Sequence, residues 1–395
     1  MRTVITAESL WTGSSLIPYP IVEIEGGRVV AIAEGFGAPL DVSGAEIHEF
    51  SGAMLAPAFF DVHIHGAAGH DVMEATPEAL RALGRFLATR GTGSYLATTV
   101  TAPLDMTLRA LDALATLIDR PERIDADGSA ALPLGIHLEG PFLSHAKCGV
   151  QPREYLLEPD IPTFDRLLEA AGGHARLMTL APELPGATEL AAHATAKGVR
   201  VSVGHSNATA AETRSAIQAG AVSATHTFNA MRALDHREPG ILGTVLATDS
   251  LYAELVCDGI HSTAEMAKIW WRCKGPERGI LITDAMSAAG MPDGEYHLGN
   301  FAVQVANGRA MARGALAGSV LTLDRALENF VAFTGATLDQ ALRLLTVNPA
   351  AMTGFCDEAG KVAVGRKANL VAVDGNGRLA ASIHNGELVG ALAAR

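Results

Sequence analysis

Cysteine is scarce. The 395-residue chain holds four, Cys148, Cys257, Cys273 and Cys356, scattered and without a C-x-x-C pair. Such spacing argues against a disulfide framework or a zinc knuckle and suits a reducing compartment. Charge is sparse too, at 18% of residues, and the balance is acidic, with a formal net charge of -13. Without a basic excess there is no electrostatic footprint for nucleic acid, although one well-placed arginine can still bind a phosphate. No apolar run is long enough to span a bilayer, and the stretch Met1-Arg2-Thr3-Val4-Ile5 lacks the apolar core of a signal peptide. A soluble cytoplasmic protein is the expectation.

What the chain has in quantity is apolar residues, 48% of the total, enough for one large domain and a small one. Residues 3–52 alternate in the manner of strands. Ile21-Val22-Glu23-Ile24-Glu25, Gly26-Gly27 and Arg28-Val29-Val30-Ala31-Ile32 form a hairpin signal. The far end has the same texture in 368–373 and 382–389. Strands from one end alone would leave edges unpaired, so both ends are expected to build one small β-sandwich domain, residues 1–56 and 357–395.

Between them, 57–356 alternates strand and helix. Thr76-Pro77-Glu78 is a helix start, with an N-cap threonine and proline at N1. Strands are expected near 59–65, 94–100, 134–139, 177–181, 199–205, 221–227, 252–257 and 280–284, as continuous apolar runs covered on both faces. Helices are expected between most of them, though none between 221–227 and 252–257, and at about 323–332 and 338–345. Eight such units in about 300 residues point to an α/β fold of the (β/α)8 TIM-like barrel class. An open doubly wound sheet would put a G-x-G-x-x-G loop after the first strand, and none is there.

Barrel enzymes work at the C-terminal ends of their strands. Phe59-Phe60-Asp61-Val62-His63-Ile64-His65-Gly66 places two histidines two apart, so on a strand both imidazoles face one spot. Glu139 closes the third run, His205 the fifth, His226 the sixth and Asp284 the eighth. A lone strand-end histidine is most often a bonded structural residue. Six such groups on one barrel face are costly to bury unless something pairs them, and metal ions would do so.

This pattern resembles the amidohydrolase superfamily. Leu138-Glu139-Gly140-Pro141-Phe142, Gly204-His205-Ser206-Asn207-Ala208, Thr225-His226-Thr227-Phe228-Asn229-Ala230-Met231, Arg237-Glu238-Pro239-Gly240, Asp258-Gly259-Ile260-His261 and Leu316-Ala317-Gly318-Ser319 narrow it. Together, over nearly the whole chain, they resemble the family that deacetylates N-acetylglucosamine 6-phosphate. The resemblance implies that Glu139, His205 and His226 hold a main metal. With His63 and His65 in place it implies a two-metal centre, zinc or iron, bridged by Glu139 and with Asp284 as a further ligand. It implies substrate contacts at Val150, Gln151, Asn229, Ala230, Arg237, His261, Leu316, Ala317 and Gly318, and a homodimer. Some members carry histidine where this chain has Gln151, which cannot act as acid or base.

The implied reaction is amide hydrolysis. Asp284 would take a proton from metal-activated water and pass it to the leaving amine, with His261 at the carbonyl oxygen or a sugar hydroxyl. Arg237 would bind the phosphate through its guanidinium fork. Three other readings compete: the same reaction on N-acetylgalactosamine 6-phosphate, a cyclic amidase of the dihydroorotase type, and a catalytically silent scaffold. The second usually bridges its metals with a carboxylated lysine, where this chain has Glu139. The third would be expected to have lost ligands that are all present.

Overall fold

The computed structural model describes residues 2–35 and 43–391. Residues 1, 36–42 and 392–395 of the expected small domain lie outside the described residues. Eight parallel strands follow one another round a barrel: β1 (Phe59–Ile64), β2 (Thr92–Thr99), β3 (Leu132–Glu139), β4 (Ala175–Leu180), β5 (Arg200–Val203), β6 (Ala221–Ala224), β7 (Tyr252–Val256) and β8 (Gly279–Ile282). The helices between them are α1 (Pro77–Thr89), α2 (Leu104–Ile118), α3 (Ile161–Ala170), α4 (Ala187–Ala196), α5 (Ala210–Gln218), α6 (Gly240–Ala247) and α7 (Ala264–Arg278), and α8 (Leu323–Thr334) follows β8. Thr76 caps α1 as expected, its side chain accepting from the Ala79 amide at 3.2 Å.

Closure between β1 and β8 is made in two pieces. At the upper end the Asp284 amide donates to His63 O at 2.9 Å, and the His65 amide to Ala285 O at 2.8 Å. At the lower end the Phe60 amide donates to Leu345 O and the Leu281 amide to Leu344 O, so this short segment sits between the two strands. The backbone groups along the seam are thereby paired.

The chain ends behave as the strand texture implied. Arg2–Trp11 pairs in parallel with Glu46–Pro57, which pairs antiparallel with Leu370–Asp374 from the other end. Both ends thus share one eight-stranded sheet. The sheet folds over itself: the Ala368 amide donates to Gly27 O, and Ile5, Val22, Ile24, Leu55, Leu370 and Ile383 fill one core. The two layers expected of a sandwich are arms of this continuous sheet.

Two features differ from the sequence reading. Helix α6 follows the His226 loop, where no element was expected. Between β8 and α8 lies an antiparallel sheet of Gly294–Leu298, Phe301–Ala306, Arg309–Ala312 and Ala315–Leu316. Its turn Asn307-Gly308 has φ of 52° and 72°, the geometry of a two-residue hairpin turn. Its apolar face, with Leu298, Val303 and Val305, packs on Val100, Val150 and Met286 and walls one side of the barrel mouth.

Candidate active site

Strand periodicity delivers the polar groups inward. Asp61, His63 and His65 alternate on β1 and its extension, and His137 and Glu139 on β3, all almost wholly buried. Glu139 is the centre. Its Oε1 lies 3.1 Å from Nε2 of both His205 and His226 and 3.5 Å from Nε2 of His63, while Oε2 is 3.3 Å from His65 Nε2. Asp284 closes the ring, with Oδ1 3.3 Å from His65 Nε2 and 3.6 Å from His63 Nε2. All six residues singled out from the strand ends meet at one place.

Hydrogen bonds behind the rings fix which nitrogen faces the centre. His65 Nδ1 meets Thr98 O, and His205 Nδ1 meets Lys147 O, both at 3.0 Å. A carbonyl can only accept, so those Nδ1 atoms carry the hydrogen and each Nε2 presents a lone pair in the neutral ring. His63 Nδ1 lies 3.2 Å from the Glu254 carboxylate, which has the same effect. The Nε2 atoms of His205 and His226 stand 3.0 Å apart, and His63 Nε2 is buried with no hydrogen-bond partner. Lone pairs and carboxylate oxygens converging at these distances repel unless cations or protons lie among them.

Two groups of ligand atoms, His63/His65/Glu139 and Glu139/His205/His226, each lie within 4.8 Å of one another. Imidazoles backed by carbonyls and a carboxylate are the usual support of metal-ligating histidines, so the donor set fits divalent metal. Without a cation the charges settle internally. Burial opposes charge on His226, but Glu139 and Asp284 outweigh it and push its pKa up to about 9. Burial likewise works against ionised Glu139 and Asp284, yet His63 and the other imidazoles hold both below the ordinary carboxylate range.

Backbone geometry at the strand ends serves this convergence. His205, His226 and Asp284 adopt φ of 45°, 29° and 50°, a left-handed region that β-branched or bulky residues avoid. Gly318, at φ +64°, lies so close that an added Cβ would sit 2.9 Å from Asp284 O. Only glycine lets that loop pass the strand end.

Above the cluster opens a cavity of about 270 Å3, walled by Val150, Gln151, Asn229, Ala230, His261, Leu316 and Gly318. Of the expected substrate contacts these seven are present. Ala317 is fully buried in the core behind them. Arg237 is exposed on the loop after β6, its amide bonded to Asp235, and lies outside the cavity wall. His261 Nδ1 is 2.7 Å from Asp258 Oδ2, which leaves Nε2 for the cavity side. Gln151 accepts from the Thr101 amide at 2.9 Å and donates to Glu139 Oε2 at 2.8 Å.

Glu254 was not foreseen. Fully buried on β7, it holds His63 and also accepts from the His226 amide at 3.1 Å. Its signal was a single acid inside the apolar run Tyr252-Ala253-Glu254-Leu255-Val256. Beneath the cluster, Thr98, His137, Thr179, Thr225 and Ser202 form a buried hydrogen-bonded layer.

The amidohydrolase family profile matches residues 54–391. The chain is 40% identical over 344 residues to N-acetylgalactosamine-6-phosphate deacetylase of Escherichia coli O157:H7, covering 87% of this chain and 89% of that one. It is 35% identical over 381 residues to N-acetylglucosamine-6-phosphate deacetylase of Bacillus subtilis (strain 168), covering 95% and 94%. Among solved structures, an aspartate-to-alanine mutant of N-acetyl-D-glucosamine-6-phosphate deacetylase from Mycobacterium smegmatis, in complex with N-acetyl-D-glucosamine-6-phosphate, superposes with a TM-score of 0.90 at 35% identity. That match covers 98% of this chain and 99% of that one. The chain belongs to the amidohydrolase family and, within it, groups with the N-acetylglucosamine-6-phosphate deacetylases.

Proposed function

We propose that this protein hydrolyses N-acetylglucosamine 6-phosphate to glucosamine 6-phosphate and acetate. The observation that carries the proposal is the convergence of four imidazole Nε2 atoms and Asp284 on Glu139 below a cavity of about 270 Å3. His63, His65 and Glu139 would hold one divalent ion, and Glu139, His205 and His226 a second, zinc or iron, with Asp284 at their edge. A bound divalent ion supplies hydroxide near neutral pH and polarises a carbonyl.

The remaining work falls to the chain. Asp284, kept ionised by His63 and His65, takes the proton of the attacking water and returns it to the leaving amine. His261, its Nδ1 held by Asp258, presents Nε2 to the substrate, accepting from a sugar hydroxyl in the neutral ring or donating to the carbonyl oxygen as the imidazolium. Asn229, Ala230, Val150, Gln151, Leu316 and Gly318 wall the sugar site, Ala317 supports them from behind, and Arg237 turns inward to the phosphate. We further infer two structural units, 1–56 with 357–395 and 57–356, and a cytoplasmic homodimer.

A second reading, N-acetylgalactosamine 6-phosphate, is favoured by the 40% identity to the Escherichia coli relative of that name. Acetate release from both sugar phosphates, measured with metal content, decides between them. The glucose epimer should give the higher kcat/KM, with two metals per chain. Asp284→Asn should lower kcat by about 100-fold or more while substrate still binds. No acetate from either substrate with both metals loaded would overturn the proposal.

A further inference from the structure

At the opposite end of the barrel a second cavity, about 360 Å3, lies between the lower ends of β2 and β3 and the small terminal sheet. Four cationic side chains line it: Arg28 from one chain end, and Lys361, Arg366 and Lys367 from the segment entering the other. His384 lines it as well. Asp125, Asp357 and Glu358 line it too, and Asp357, although its side chain is 99% exposed, places Oδ1 3.6 Å from Arg366 Nη2, which leaves Nη1 of that guanidinium for a guest.

Two nitrogens here are buried without a hydrogen-bond partner, Arg366 Nη1 and His384 Nε2. Burying a guanidinium donor unpaired is costly. His384 is 1% exposed, and its other ring nitrogen serves the Thr92 backbone carbonyl. In the neutral ring that leaves Nε2 as an acceptor. A complementary guest would therefore accept from Arg366 and donate to His384.

We propose that this cavity binds a small phosphate bearing a hydroxyl, either hydrogen phosphate or a phosphorylated polyol. A phosphate oxygen accepts from Arg366 Nη1, its negative charge is balanced by Arg28, Lys361 and Lys367, and a P–OH or sugar hydroxyl donates to His384 Nε2. Planar guanidinium donors suit this geometry. The cavity exceeds the one above Glu139, so it accommodates a molecule of the size expected there. It does not depend on the chemistry proposed for that site.

Isothermal titration of the metal-loaded protein with inorganic phosphate, and separately with glucose 6-phosphate, tests the proposal. Arg366→Met should weaken binding by about 30-fold or more. Arg28→Gln, at an exposed side chain whose Nη1 donates to Gly365 O at 2.8 Å, should weaken it less, in the same direction. Circular dichroism and the turnover number should match wild type in both. Tighter binding of glucose 6-phosphate assigns a phosphorylated polyol, and equal binding assigns free phosphate. The proposal is overturned if phosphate shows no saturable binding, or if folded Arg366→Met and Arg28→Gln both bind it as wild type does, since the cavity would then hold water alone.

Discussion

Gln151 fastens the central carboxylate of Glu139 to the barrel backbone. Its Oε1 accepts from the Thr101 amide and its Nε2 donates to Glu139 Oε2 at 2.8 Å, with the side chain buried. The two contacts fix the amide's orientation, because reversing it would oppose two acceptors and two donors. A hydrogen bond to a charged group contributes ~1.5–3 kcal/mol. Gln151→Leu should therefore weaken metal binding and lower kcat/KM by about 10- to 100-fold. Competition with a chelator and steady-state kinetics measure the two effects. Unchanged metal affinity in the folded variant would mean that the histidines alone position Glu139.

Glu254 is expected to act through His63. Glu254→Gln retains volume but gives up the negative charge 3.2 Å from His63 Nδ1. Replacing such a partner of a ligating histidine typically costs 10- to 100-fold in metal affinity. The loss should fall on the His63/His65 site, so chelation should remove one equivalent of metal earlier than in wild type. Simultaneous release of both equivalents would place Glu254 outside this role.

These two residues mark the limit of what the sequence disclosed. Residues such as His63, Glu139 and Asp284 were legible because each closes an apolar strand, and barrel topology brings strand ends together. Glu254 was not, because it lies within its strand, where an acid reads as a surface residue until the register turns it inward. Gln151 was marked only by resemblance; its grip on Glu139 depends on a loop after β3 whose path no periodicity encodes. The antiparallel sheet at 294–316 carried glycine turn signals, but its strands are short and half exposed. Their apolar alternation is correspondingly faint.

Arg237 supplies a third prediction. It starts exposed, outside the cavity, on the loop between His226 and α6. If that loop closes on substrate, Arg237 reads the phosphate only in the complex. Truncating a buried charge partner costs roughly 2–5 kcal/mol, so Arg237→Ala should lower kcat/KM for N-acetylglucosamine 6-phosphate by about 30- to 4000-fold. Activity on unphosphorylated N-acetylglucosamine should hardly change. An equal loss on both substrates would assign Arg237 to the fold.

The last prediction concerns acid stability and His384. Burial pushes its pKa down from 6.5 to about 4; the Thr92 carbonyl opposes this and the charge of Lys367 adds to it. In the unfolded chain the imidazole regains its ordinary value. Between those two values the unfolded state binds a proton that the native state refuses, so stability rises with pH across the window. The contribution is fully present above 6.5 and is lost as pH falls through about 4. At 1.36 kcal/mol per unit the full swing is about 3 kcal/mol. His384→Phe removes the titration while filling much of the same space. Its stability at neutral pH is free to differ, because the comparison is between slopes. Urea unfolding in phosphate-free buffer at about pH 7.5 and about pH 4.5 should show a smaller acid loss in the variant, by about 2 kcal/mol. Parallel losses in both proteins would mean that other groups carry the acid limb and that His384 protonates equally well folded and unfolded.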